Sequence, residues 1–459
     1  MFGTKGGTIF YYLAMGQKMI SMLDKIFGWK KKKPGAFPDI KFGRYSDNNK
    51  SLDQLKRWKE SENLFTEKKF FESFDAFFEY LEDGEVDNVI HERTETGGQF
   101  SIYQGSKIVK GKYDDKNLEA EVSLAHMATP SVPVMRRLLE QNFHIYYTRY
   151  ALDNERLCML FDSRIDNASP GKLYYGLKEL ATRADKQDDL LVHDFTVLEM
   201  TETDHVIPLP EKEKEVKFHF LQKWISELLE IVDPLDKEKF SGGIAYLILA
   251  MFFRIDFLIK PEGKLLQDLE KIIHIYFKKD ERPVVEKNRD MLAAIRKLQT
   301  KTPEEVSPFL FNAKYTFSIV QPQPYKTIGE TIASANLNVR WYNDNGYPEI
   351  ARQITEYGIS YCQYSYSLPK PVTSYFLLFM MINHHDYFNS LGFDYDFYDP
   401  VENKFNKEAI EDRIDEIENI WRPKYPGMKM NKDNIRYNSL LQFDLSFTKE
   451  LEELDMDTA

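Results

Sequence analysis

A chain of 459 residues is too long for one ordinary core, so two or three domains are expected. A hydrophobic share of 42% against 29% charged excludes a disordered polymer, and 33 Phe with 27 Tyr supply rigid apolar volume for large cores or ring-burying interfaces. The net charge of −12 repels phosphate backbones and the one dense basic run is Lys30–Lys33, so nucleic acid is not an expected partner.

Residues 1–62 read as a basic N-terminal arm and a polar linker. The apolar run in GGTIFYYLAMG falls short of the ~20 residues a spanning helix needs, and the basic head and cleavage site of a signal peptide are missing. Met22, Leu23, Ile26, Phe27 and Trp29 precede the four lysines, so residues 19–33 could rest weakly on an anionic membrane surface; the plainer reading is a frayed tail. Phe70, Phe74, Phe77 and Leu81 then share one helical stripe, with Gly84 as a stop. SIYQGSKIVKGKYDD is β-rich, and Leu118, Ala120, Val122 and Leu124 alternate with Glu119, Glu121 and Ser123 as in a half-buried antiparallel strand. VMRRLLEQNF makes a short helix after the capping residues Thr129–Pro133. The strands HIYYTRYAL and RLCMLFDS follow, joined by a tight loop at Asp153, Asn154 and Glu155. Leu173, Leu177, Leu180 and Ala184 fall at helical spacing and predict an amphipathic helix over the sheet.

This order of helices and strands predicts a compact α+β domain over 63–205 with an antiparallel sheet, followed by a mostly α-helical C-terminal region. That region divides at the proline-rich VQPQPYKT into a helical domain, 206–320, and a second bundle or continuation, 321–459. In the first, GGIAYLILAMFFRIDFLIK is apolar nearly all round, but Arg254 and Asp256 mark it as a buried central helix rather than a span. In the second, Ile410, Ile414, Ile417 and Trp421 share a helical face.

With MRRLLEQNF, the following hairpin and SPGKLYYGLKELATRADKQDDLL, residues 64–200 resemble the YbjN family and, more distantly, the type III secretion chaperones. The resemblance implies a small α+β fold whose sheet is backed by helices. It further implies a non-catalytic, chaperone-like regulatory role: binding a protein partner, with homodimers among the arrangements such chaperones adopt. It supplies no catalytic residues. The basic arm and the large helical half depart from these families, whose members are usually small and free-standing.

The candidate chemistry is sparse. Arg183, Asp185, Lys186, Asp188 and Asp189 crowd one stretch; the aspartates at i, i+3 and i+4 could grip a cation, but the interleaved basic residues predict surface ion pairing at a helix end. Arg136 and Arg137 on the preceding helix could pair with them as a structural clasp. His384, His385 and Asp386 follow an apolar helix, but adjacent histidines point about 100 degrees apart and rarely share one ion. Asp394, Asp396 and Asp399 echo a calcium loop without its Gly, and Phe405 replaces its bidentate Glu. GTKGG follows no strand, no G-x-S-x-G elbow exists, and Cys158 reads as a small buried hydrophobe. No metal, cofactor or catalytic residue is assigned. Within YYTRY, Tyr146, Thr148 and Tyr150 would share one strand face opposite Tyr147 and Arg149. Tyr146, Arg149 and Tyr150, with Tyr174 and Tyr175 of the covering helix, are therefore candidate partner contacts. Two cysteines, Cys158 and Cys362, form no framework and fit a reducing, cytoplasmic setting. The resulting expectation is a protein-binding, non-catalytic protein; the alternative is an enzyme with a polar site between the domains near His384 and His385.

Overall fold

The computed structural model describes residues 38–202, 205–394 and 396–458, and no side chain at Asn49 or Asp189. The basic arm, including residues 19–33 for which a weak membrane contact is one expectation, lies outside the described residues. The rest falls into two compact units: Gly43–Gln323 with Gln363–Pro369, and residues 38–42, Pro324–Cys362 and 370–458.

The first unit starts with a helix where the sequence suggested linker. α1 (Leu52–Thr66) opens on a capping box, the Ser51 hydroxyl accepting the Gln54 N–H while the Gln54 amide oxygen accepts the Ser51 N–H. It packs on α2 (Phe70–Leu81) through a reciprocal serine pair: Ser61 Oγ donates to the Ser73 carbonyl and Ser73 Oγ to the Ser61 carbonyl, each at 2.8 Å. Trp58 adds a ring against Tyr80 at 4.9 Å and Phe77 at 6.3 Å, but with serine at the closest approach and charged residues around it the helix reads as linker. Phe74, Phe77 and Leu81 are fully buried, as their spacing requires.

Strands β1 (Val89–Thr94), β2 (Gly97–Gln104), β3 (Lys107–Tyr113), β4 (Asn117–His126), β5 (Arg149–Asp153) and β6 (Arg156–Arg164) form an antiparallel sheet in the order β1-β2-β3-β4-β6-β5. A further short strand, β7 (Glu199–Met200), pairs with β4. The alternation in β4 holds as far as Val122, with Leu118, Ala120 and Val122 buried; beyond it Ser123, expected to face out, is buried together with Leu124, and past a bulge between Ser123 and Ala125 so is Ala125. β5 is shorter than expected, because residues before Arg149 form a bend instead. Its connection to β6 is a two-residue turn with Asn154 in the left-handed region, which asparagine tolerates. The inner face packs against α2, α3 (Val132–Asn142) and α4 (Pro170–Asp194), whose Leu173, Leu177, Leu180 and Ala184 are all fully buried. Gly176 lets α4 approach Phe161 closely: a Cβ there would stand 2.4 Å from the ring. The fold is α+β.

The same unit continues through a two-stranded pairing of β8 (Ile207–Pro208) with β9 (Phe311–Asn312), and through α5 (Glu211–Val232), α6 (Ser241–Arg254), α7 (Gly263–Phe277) and α8 (Val284–Gln299). The helical stretch 206–320 thus belongs to one unit with the sheet rather than forming a domain of its own. Ser241–Ile259, α6 plus a π-helical turn at Ile255–Ile259, is long and apolar enough to cross a membrane, but 89% of it is buried within the protein. Its two charges have internal partners: Arg254 lies over the Trp224 ring, and Asp256 accepts from Arg44 at 2.6 Å. After α8 the chain returns to the sheet, where Gln104 Oε1 accepts the N–H groups of Thr316 and Phe317 and the Phe317 ring enters the α+β core.

The second unit is helical: α9 (Tyr325–Asp344), α10 (Pro348–Gln353), α11 (Tyr357–Ser365, whose last turn runs into the first unit), α12 (Lys370–Asn383), α13 (His385–Ser390), α14 (Lys407–Trp421) and α15 (Leu440–Glu452). A hairpin of β10 (Tyr398–Asp399) and β11 (Lys404–Phe405) precedes α14. Ile410, Ile414 and Ile417 are buried and Trp421 half-buried, as their common face predicts.

Candidate functional site

Two solvent-facing surfaces of the α+β region differ in chemistry. On the outer face of the sheet, charge meets opposite charge across strands. Lys112 pairs with Glu119 at 3.6 Å, Lys110 with Glu202 at 2.7 Å, and Arg156 with Glu121 at 2.9 Å and Asp153 at 3.1 Å. Arg149 pairs with Asp162. Arg149 is thus part of a compensated charge lattice.

The outer face of α3 carries an apolar stripe beside Arg136, Arg137 and Glu140. Val132 (80% exposed), Leu139 (63%) and Phe143 (88%) follow one another at helical spacing. With Pro130, Ser131, Met135, Arg136 and Glu140 they line a shallow groove of about 410 Å³. The loop from α3 to β5 extends this surface with Tyr146, 92% exposed, and Tyr147. Tyr146 therefore does not share a face with Thr148 and Tyr150, which are buried. Burial pushes the Tyr150 hydroxyl up to about 12. Of the other candidate contacts, Tyr175 is exposed, whereas Tyr174 turns inward and donates to Asp47 Oδ2 at 2.7 Å.

α4 pins the α3–β5 loop and the β2–β3 turn through Glu179 and the charged cluster from Arg183 to Asp188. The helix does not end among them but runs on to Asp194. Glu179 accepts three successive backbone N–H groups of the α3–β5 loop: Tyr146 at 2.9 Å, Tyr147 at 2.7 Å and Thr148 at 3.0 Å, with the Thr148 hydroxyl at 3.1 Å. One turn later Arg183 donates to the His144 carbonyl at 3.1 Å. Asp185 and Asp188 face the turn between β2 and β3. Ser106 N–H donates to Asp185 at 2.8 Å, and Ser106 Oγ to Asp188 at 2.8 Å. Gly105, at φ +56°, is required there, since a Cβ would fall 1.9 Å from Asp185 Oδ1. Lys186 pairs with Glu270 of α7 at 3.2 Å.

Asp188 overturns the expectation of surface pairing. It and Lys107 both have 0% side-chain exposure and pair at 3.1 Å. Lys107 Nζ also donates to the carbonyls of Leu124 at 3.3 Å and Thr201 at 3.2 Å, so the ammonium is satisfied inside the protein. Arg136 and Arg137 are exposed, and among the described side chains Asp185 and Asp188 meet Ser106 and Lys107 rather than these arginines. The Asp189 side chain lies outside the described residues. Lys107 was missed by sequence reading, although strand parity places it on the inward side with Val109 and Tyr113.

In the helical unit, His384 Nε2 meets Glu356 Oε2 at 2.6 Å, and both side chains are largely enclosed. Asp444 of α15 is buried beside them; its Oδ1 accepts from Asn383 Nδ2 at 2.8 Å while Arg352 stands 3.7 Å from Oδ2. Burial pushes the Asp444 carboxyl up to about 6, against the smaller opposing pull of Arg352, Asn383 and Thr355. Asp399 caps its own turn by accepting the N–H groups of Val401 and Glu402. Among the described residues no three or more His, Cys, Asp or Glu side chains are placed to hold a metal ion.

No protein-family model matches the chain, and no curated protein matches it.

Proposed function

We propose that this chain is a non-catalytic, chaperone-like interaction protein that docks protein on the outer face of α3 and the adjoining loop. The observation that carries this reading is the exposed stripe Val132, Leu139 and Phe143, extended by Tyr146 on the adjoining loop, beside a sheet face on which Lys110, Lys112, Arg149 and Arg156 are ion-paired. Apolar patches rimmed by polar residues are characteristic of docking sites, and aromatic side chains dominate their energetics.

The occupant is a second copy of the chain. Arg136 and Glu140 flank the stripe one turn apart. A two-fold axis crossing α3 between them runs two such helices antiparallel and sets Arg136 of each copy opposite Glu140 of the other. The same operation brings the Val132 end of each helix against the Phe143 end of its partner. The YbjN and secretion-chaperone resemblance of residues 64–200 supports a protein-binding role, and the membrane reading of residues 19–33 rests on sequence alone.

Sedimentation of the full chain across a concentration series tests this. The wild type is expected to dimerise. Leu139→Glu, Arg136→Glu and Glu140→Arg should each weaken the dimer about tenfold or more without loss of fold. The double exchange Arg136→Glu/Glu140→Arg should restore it, because a self-complementary pair survives reversal of both charges. A wild type that stays monomeric throughout, or a double exchange no tighter than either single variant, overturns the assignment of a second copy. Binding of a different polypeptide that Leu139→Glu abolishes would then place a heterologous partner on this face.

A further inference from the structure

We propose that Glu179 and Arg183 are positioning residues for the docking face, holding the α3–β5 loop so that Phe143, Tyr146 and Tyr147 stand as a preformed tip; this rests on the reading of that face as a self-association surface. The loop spans only residues 143–148, between the end of α3 and the start of β5. Its N–H groups at 146–148 have neither helix nor ladder partners, and unpaired they would favour a loose, solvated loop.

One carboxylate satisfies all three and the Thr148 hydroxyl as well, matching the roughly four acceptor sites a carboxylate offers. Such charge-assisted bonds are stronger than neutral ones. Arg183, at i+4 on the same face of α4, ties down the His144 carbonyl. Asn142 Oδ1 closes the far side by accepting the Tyr150 N–H at 2.9 Å. A backbone pinned at four successive peptides, 144 and 146–148 included, cannot swing the rings away from solvent. Phe143 and Tyr146 remain almost wholly exposed despite their apolar area. Ordering a loop on association normally costs affinity; a loop ordered beforehand avoids that cost.

A double-mutant cycle on the full-length protein separates this role from general structural support. Glu179→Ala is expected to weaken dimerisation about tenfold in the wild type but less than about twofold once the rings are removed in Phe143→Ala/Tyr146→Ala, because positioning matters only while there are rings to position. Arg183→Ala, which removes a single bond, should show the same dependence with a smaller effect of about threefold, and serves if Glu179→Ala fails to fold. Equal losses in both backgrounds, or no loss in the wild type, overturn the positioning role. If Leu139→Glu abolishes dimerisation while Glu179→Ala and Arg183→Ala leave it unchanged, only the positioning role falls. If Leu139→Glu is also silent, the docking face itself falls.

Discussion

The outer face of the β-sheet and the outer face of α3 both meet solvent, yet they solve opposite problems. On the sheet, Lys110, Lys112, Arg149 and Arg156 each have a carboxylate within reach, so these charges offer a partner little to gain. On α3 and its C-terminal cap, Val132, Leu139 and Phe143 stand exposed among the described residues. Burying them releases free energy of about 25 cal/mol per Å² of apolar area. Exposure alone therefore does not mark a docking surface; what marks it is exposure without compensation. Ion pairs teach the same lesson in reverse, since a pair contributes according to where it sits.

That contrast fails or sharpens in a series of measurements, of which the largest concerns the buried pair. Lys107→Ala or Asp188→Ala leaves an uncompensated charge in the interior and should cost about 3–5 kcal/mol in denaturant unfolding, whereas Lys107→Met/Asp188→Leu together should recover most of it. Single variants that lose under about 1 kcal/mol would show that this pair behaves like those on the surface.

Next comes Asp444, a buried carboxylate whose arginine stands off at 3.7 Å. Its folded value of about 6 lies above the ordinary 3.8, so the ionised form is the one that folding disfavours. Stability should be greatest below the unfolded value and should fall as pH rises through 6, by at most about 3 kcal/mol. Asp444→Asn should remove that slope and stabilise the helical unit at neutral pH; identical pH profiles for the two proteins would refute the shift. The smallest effect belongs to the sheet's outer face. Lys112→Ala and Glu119→Ala should each change stability by no more than about 0.5 kcal/mol and leave the proposed dimerisation unchanged. A larger loss of association would move the docking surface onto the sheet.

Much of the scaffold is legible from periodicity, because burial imposes it. Phe74, Phe77 and Leu81 in α2, the alternation in β4, and Leu173, Leu177, Leu180 and Ala184 in α4 are apolar where the core needs them. α1 is harder to read: part of its contact with α2 is the polar pair Ser61 and Ser73, and its apolar share is carried by Trp58 and Phe65 among many charged neighbours. The organising carboxylates are harder still. Asp188 continues the α4 stripe one turn beyond Ala184, and Lys107 shares the inward parity of Val109. Each alone looks like an error in its pattern; only together do they make sense, as two interior charges that neutralise one another.

Local order along the chain thus settles which residues must leave water, because hydrophobic spacing at 3.6 or 2 residues is a property of the element itself. Which charges meet is decided by the tertiary structure. Glu179 reaches 146–148 and Asp188 reaches Lys107 across separations that no spacing rule spans. A hydrogen bond or ion pair depends on ångström-scale placement of two distant segments, and that placement exists only once the sheet and α4 have packed.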